Sequence, residues 1–322
     1  MTKTTAVVTG AAGFIGSHLV DTLLAGGNRV IGIDNLSRGT RANLAAALNH
    51  PSFAFAEADC SDTRSFGEAV RTLLPDGRAD MLWHMSANSD IRAGIADPDV
   101  DLRDTFRTTH EALRFARQLG VGRFVLASTS AVYGERSDAL HEDAGPLRPI
   151  SNYGAMKLAA EAAVSAAAAS FLEKAWIFRF PNVIGSRATH GVIYDFMLKL
   201  KANRNELEVL GDGTQQKPYL HVHELIGAMT FVVERAPAAF NVYNVSSHAP
   251  GTTVCFIAEE VVRVVNPNTR IRYTGGDRGW AGDVPRFSYA LDRIEALGWS
   301  PTESSDDAVR RAVRETAAEM LG

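Results

Sequence analysis

Tyr153 and Lys157, in the stretch Ser151-Asn152-Tyr153-Gly154-Ala155-Met156-Lys157, are the residues whose types and spacing most directly suggest chemistry. Two residues four positions apart leave the same face of a helix one turn apart, and the Ala-rich run that follows predicts that helix. A phenol, with an ordinary pKa of about 10, is a poor base at neutral pH, but a fixed ammonium beside it favours the phenolate. The pair reads as a proton-transfer device. A Tyr and a Lys at this spacing are also common on solvated helix faces, so the weight falls on what stands before them.

The elements that must position the pair begin at the N-terminus. The apolar run Thr5-Ala6-Val7-Val8-Thr9 leads into Gly10-Ala11-Ala12-Gly13-Phe14-Ile15-Gly16 and then a helical pattern. Strand, glycine turn and helix in that order present backbone N–H groups and a helix N-terminus to a pyrophosphate. The spacing is GxxGxxG, a departure from the usual GxGxxG. A second strand, 29–34, ends in Asp34, eighteen residues past Gly16, where an acid accepts hydrogen bonds from an adenosine ribose. Further apolar runs at 53–59, 81–87, 123–128 and 175–180 alternate with helical stretches, which predicts a doubly wound parallel sheet of the Rossmann type. Ligands in such sheets lie beyond the carboxyl ends of the strands, which gathers Asp59, Ser86, Ala87, Ser128, Thr129 and Ser130 around one crevice. The helix that carries Tyr153 and Lys157 follows and can face it.

Beyond this the alternation loosens. Short strands are expected near 207–210, 240–245 and 270–273, with helices near 192–202, 223–234, 253–264 and 306–320. The expected organisation is a dinucleotide-binding domain over 1–178 and a smaller α/β substrate-binding lobe over 179–322, partly interleaved with the last strands of the sheet.

Composition narrows the function. With 322 residues the chain exceeds one ordinary domain, and a formal charge of −4 offers no basic footprint for nucleic acid and no polybasic patch for a membrane. Cys60 and Cys255 form no CxxC or Cys/His cluster, so no structural metal is expected, and a reduced, cytoplasmic setting is. The N-terminus runs straight into an apolar strand without a leader pattern, and no apolar run approaches a bilayer span.

An ordered set of landmarks goes further. Thr9-Gly10-Ala-Ala-Gly13-Phe14-Ile15-Gly16, Asp34-Asn35-Leu36-Ser37, Ala58-Asp59, His84-Met85-Ser86-Ala87, Ser128-Thr129-Ser130-Ala131-Val132-Tyr133-Gly134, Tyr153-x3-Lys157, Arg179-Phe180-Pro181-Asn182-Val183, Gly211-Asp212-Gly213 and Leu297-Gly298-Trp299 stand in sequence. With them the chain resembles the extended short-chain dehydrogenase/reductase family, and within it the nucleotide-sugar epimerases of the UDP-glucose 4-epimerase type. The resemblance implies NAD as cofactor, with Gly10, Gly13, Phe14, Ile15 and Gly16 at its pyrophosphate and Asp34, Asn35 and Ser37 at the adenosine ribose. Asp59 and Cys60 would meet the adenine, Met85, Ser86 and Ala87 the middle of the cofactor, and Ser128 is a further cofactor contact. Pro181 and Val183 would lie near the nicotinamide. The Asp34 carboxylate favours NAD over NADP, since it would repel a 2′-phosphate. In the family, the hydroxyl now supplied by Thr129 bonds the sugar, Tyr153 takes its proton, and Lys157 holds the nicotinamide ribose.

For the second lobe the resemblance implies a nucleotide-diphosphate sugar, with departures from the family pattern. Lys217 stands where a phosphate-binding Arg is usual and loses its bidentate fork, which shifts weight to Arg278, in Arg278-Gly-Trp-Ala-Gly-Asp283. Asn182 and Asp283 are further candidates, Glu208 and Leu210 would border the nucleobase through backbone atoms, and Arg187 and His190 lie in a short polar loop that can equally be plain surface. A homodimer formed through the helices near 99–119 and after Lys157 is also implied. Three classes stay open: epimerisation, at C4 or elsewhere and on a hexose, uronic acid or heptose; dehydration or decarboxylation of a nucleotide sugar; and a binding protein that keeps only the fold. In related dehydratases and decarboxylases an acidic residue precedes the Val-Tyr-Gly; here that position is Ala131.

Overall fold

The computed structural model describes residues 4–74, 77–279 and 284–321. They divide into two compact units, one comprising Met1–Gly134, Leu147–Arg179 and Val233–Tyr243, the other Glu135–Pro146, Phe180–Val232 and Asn244–Gly322.

The first unit is a seven-stranded sheet. In chain order it contains β1 (Thr5–Thr9), α1 (Phe14–Ala25), β2 (Arg29–Asp34), β3 (Phe53–Glu57), α2 (Thr63–Leu73), β4 (Met81–His84), α3 (Ile91–Ala96), α4 (Pro98–Asp101), a π-helical segment (Leu102–Arg107), α5 (Thr108–Gln118), β5 (Arg123–Thr129), α6 (Asn152–Ala168) and β6 (Lys174–Phe180). The strands lie in the order β3-β2-β1-β4-β5-β6, and a later strand, Phe240–Asn244, is added beside β6. This order reverses between β1 and β4, the place beyond the strands' carboxyl ends where sheets of this kind bind ligands. The pairs β1/β2, β1/β4, β2/β3 and β4/β5 are parallel. Parallel strands buried on both faces need continuous apolar runs, and Val7, Ile31, Leu82, Phe124 and Ile177 fill one core with Phe66, Phe115 and Val164 from the helices. Phe66 and Phe115 meet edge to face with ring centroids 4.6 Å apart. The expected fourth strand over 81–87 stops at His84, because β1 ends at Thr9 and Thr9↔His84 is the last register pair. The expected third strand likewise ends at Glu57, opposite Asp34.

The second unit holds β7 (Asn182–Ile184), α7 (Val192–Ala202), β8 (Glu206–Val209), β9 (Gln216–Lys217), β10 (Tyr219–His221) and most of α8 (Val222–Arg235). After β11 (Phe240–Asn244) come β12 (Thr252–Thr253), α9 (Val254–Val265), β13 (Arg270–Tyr273), α10 (Asp292–Ala296) and α11 (Ser305–Leu321). β7 pairs with β10 and β8 with β13 in parallel, while β9 and β12 run antiparallel. Its core joins Phe196, Met197, Leu207, Val209, Ile257, Val261, Val309 and Val313. The buried His221 bonds Glu315 on α11 through Nε2 at 3.0 Å, and Glu315 and Glu319 accept the Ser186 and Arg187 amides, tying the loop after β7 to the last helix. Among the described residues no helix is long and apolar enough to cross a membrane, and no group of three His, Cys, Asp or Glu could hold a metal ion.

Candidate active site

The glycine turn after β1 is built for close approach. Gly10 has φ +69°, and a Cβ there would press on the Ser86 amide; a Cβ at Gly16 would fall on the Gly10 carbonyl. Helix α1 starts at Phe14 with Gly13 as its N-cap and no side-chain cap, so its first amides face outward with the helix dipole behind them. Asp34, at the end of β2, accepts the Ala12 amide at 3.0 Å and the Leu36 amide at 2.8 Å, while burial raises its pKa against those bonds. The Gly13 amide is a third donor, and since a carboxylate has about four acceptor sites, room for a ribose hydroxyl is left. Asn35 accepts both the amide and hydroxyl of Ser37, and Asp59 does the same for Ser61. The Cys60 thiol is buried near the Ser86 hydroxyl, and burial pushes it up to about 12, an inert thiol. Met85, Ser86 and Ala87 follow β4, half-buried. A turn whose Gly10 and Gly16 leave no room for a side chain, an uncapped helix start and an acid at the next strand end fit a dinucleotide.

Thr129 ends β5 and α6 begins at Asn152, with Ser151 capping it through the Gly154 amide at 3.1 Å. Thr129 accepts the Ala131 amide at 3.2 Å and bonds the Tyr153 phenol. Lys157 is 2% exposed and donates to the Ala127 carbonyl at 2.7 Å, with Nζ 6.0 Å from the Tyr153 ring centre. Burial lowers its pKa to about 8, although Glu161 and Asp101 favour its charge. The phenol differs from the sequence expectation: burial, followed by the negative charge of Asp101, raises its pKa, and only the bond from Thr129 opposes this. Desolvation outweighs an ammonium that is already directed at a backbone carbonyl.

Several residues that matter here escaped sequence reasoning. Glu161 lies on the Tyr153/Lys157 face one turn further on, so the same spacing could have found it. Its buried carboxylate takes Arg179 Nη2 at 2.6 Å and the Ser128 hydroxyl, while Arg179 Nη1 donates to the Tyr133 phenol oxygen at 3.1 Å. Ser128 is therefore held by α6. His84 is fully buried between the Thr9 and Thr109 hydroxyls at 2.8 and 3.1 Å, and burial drives its pKa to about 3. Asp101, also fully buried, accepts Asn88 Nδ2 at 2.8 Å; nothing in its sequence context announces it.

The remaining candidates fall in the second unit. Pro181 precedes β7, Asn182 is exposed on it, and Val183 is half-buried. Arg187 sits at φ +65° with its amide on Glu319, and His190 is exposed beside Thr189. Glu208 is paired with Arg272, and Leu210 is exposed. Lys217 lies on β9 opposite Thr252, and Arg278 bonds Glu135 at 2.8 Å. Asp283 lies outside the described residues.

The family model of the NAD dependent epimerase/dehydratase family matches residues 6–246. A UDP-glucose 4-epimerase of Mycolicibacterium smegmatis is 33% identical over 72% of this chain and 73% of its own. A dTDP-glucose 4,6-dehydratase of Streptomyces griseus is 31% identical over 76% of this chain and 73% of its own. The solved structure of a UDP-galactose 4-epimerase is 34% identical, with a TM-score of 0.85 over 98% of this chain and 99% of that one.

Proposed function

Since the chain belongs to the NAD dependent epimerase/dehydratase family and its cofactor is NAD, we propose that it inverts C4 of a nucleotide-diphosphate sugar such as UDP-glucose or UDP-galactose through a transient ketosugar. The observation that carries this reading is the Thr129, Tyr153 and Lys157 set beside a turn in which the residue before Val132-Tyr133-Gly134 is Ala131. Eliminating water across C5–C6 needs a base at C5 and an acid at the leaving hydroxyl, and a methyl group supplies neither. Chemistry then stops at the ketosugar.

In this reading Gly10, Gly13, Phe14, Ile15, Gly16, Asp34, Asn35, Ser37 and Asp59 hold NAD, with Pro181 and Val183 as further contacts. The chemistry NAD supplies is reversible acceptance of a hydride from the sugar carbon. Thr129 orients the C4 hydroxyl, and Tyr153, as the phenolate that the positive charges of Lys157 and of oxidised NAD would favour against burial and Asp101, takes its proton and later returns it. Lys157 holds positive charge behind the phenol; an ammonium has three donors, and one is committed to Ala127. Lys217 and Arg278 would hold the diphosphate, Asn182 the diphosphate or sugar, and Glu208 and Leu210 the border of the base. Arg278 can leave Glu135 at small cost, because an exposed ion pair is worth at most about 1 kcal/mol.

The working form is a homodimer through the 99–119 segment and the helix after Lys157, and free Cys60 and Cys255 suit a reducing, cytoplasmic setting. Incubating the purified protein, with no NAD added, against a panel of nucleotide sugars and reading products by NMR tests the assignment. A C4 epimer is expected; a 4-keto-6-deoxy product would replace this reading by the dehydratase.

A further inference from the structure

Asp101 closes α4, one residue before the π-helical segment, and is fully buried. Its Oδ1 accepts Asn88 Nδ2 at 2.8 Å and faces the Thr105 hydroxyl at 3.4 Å, while Asn88 also bonds both the amide and the carbonyl of Asp90. This staples the turn before α3 to the helix that follows. The staple uses one oxygen. Oδ2 finds no hydrogen-bond partner among the described residues, and it rests where a Cβ at Gly94 would stand. The Gly94 carbonyl in turn accepts Asn152 Nδ2 at 2.8 Å, from the residue before Tyr153.

A buried carboxylate oxygen without a donor is costly, and an amide at 101 would keep the staple. The charge is thus surplus to the structural role. We propose that Asp101 is a positioning residue for proton transfer, whose carboxylate, enclosed between α3 and the start of α6, is the fixed negative charge behind the Tyr153–Lys157 pair. Burial raises the carboxyl's own pKa, opposed by the bonds from Asn88 and Thr105 and by the charge of Lys157, and Tyr153 and Lys157 on α6 and Asp104 on the π-helical segment are the ionisable groups that feel its charge or act on it. Thr129 bonds the phenol from β5, Glu161 acts on Lys157 from the next turn, and His84 stays neutral. An anion there makes the phenol hold its proton more tightly and keeps Lys157 an ammonium to higher pH.

The proposal rests on the Tyr153–Lys157 reading above but on no particular substrate. The test is Asp101→Asn in the NAD-loaded protein. Tyr153 ionisation is followed as the ultraviolet phenolate signal that disappears in Tyr153→Phe, beside the pH profile of kcat/KM. Loss of the anion should move the phenolate transition, and both limbs of the profile, about one pH unit toward acid. A folded variant with unmoved transitions would overturn the proposal and leave Asp101 a staple, even if thermal stability fell. Should Asp101→Asn fail to fold, Asp101→Ser keeps an acceptor for Asn88 without the charge and carries the same two outcomes. A pH profile that is the same in the wild type and in Tyr153→Phe overturns the proton-transfer reading and this proposal with it, whereas a wrong substrate leaves the ultraviolet titration readable.

Discussion

Tyr153 is where the proposed chemistry and the electrostatics of the fold meet. Its phenol is held protonated by burial and by Asp101, with Thr129 alone pulling the other way. Tyr153→Phe keeps the ring and removes only the exchangeable proton, so activity should fall by about 10³-fold, the range of a lost general acid–base group. Bound NAD, released by denaturation and measured by absorbance, should be unchanged; a variant that lost both would point to a structural role. The pair itself was legible because its spacing and side-chain types follow a strand, a glycine turn and a strand-end acid that predict the crevice it can face. Asp101 was not, since its role depends on Asn88, Gly94 and α6 coming together across the chain, and no local pattern encodes that.

Among the elements, the parallel strands were legible because each is a continuous apolar run flanked by helices. β7, β9, β10 and β12 were not, because elements of two or three residues have no periodicity to read. His84 joins three of the well-marked elements: β4 through its own backbone, β1 through Thr9 and α5 through Thr109. Its pKa near 3 in the fold, against an ordinary 6.5, means that the unfolded chain binds one more proton between those values. Stability from this residue is therefore full above pH 6.5 and declines as pH falls toward 3, by several kcal/mol in all. Urea unfolding at pH 7 and pH 5 should show this decline, and His84→Asn should flatten it. An equal loss in wild type and variant would assign the acid sensitivity elsewhere.

At the scale of the whole molecule, the proposed dimer concerns apolar side chains left on the surface of the first unit. Leu102 is 50% exposed in the π-helical segment, where Phe106 and His110 line the same shallow groove. Association through this face would cover them, whereas a charge at its centre would oppose it. Light scattering at micromolar concentration should give a dimer for the wild type and a monomer for Leu102→Glu; a monomeric wild type would remove the dimer from the account. The central claim remains the redox-neutral inversion at C4, and the most direct measurement follows one hydrogen. With UDP-galactose carrying deuterium at C4 and no NAD added, the product should be UDP-glucose with the deuterium still at C4. A 4-keto-6-deoxy sugar, or deuterium leaving the sugar in free NADH, would contradict it.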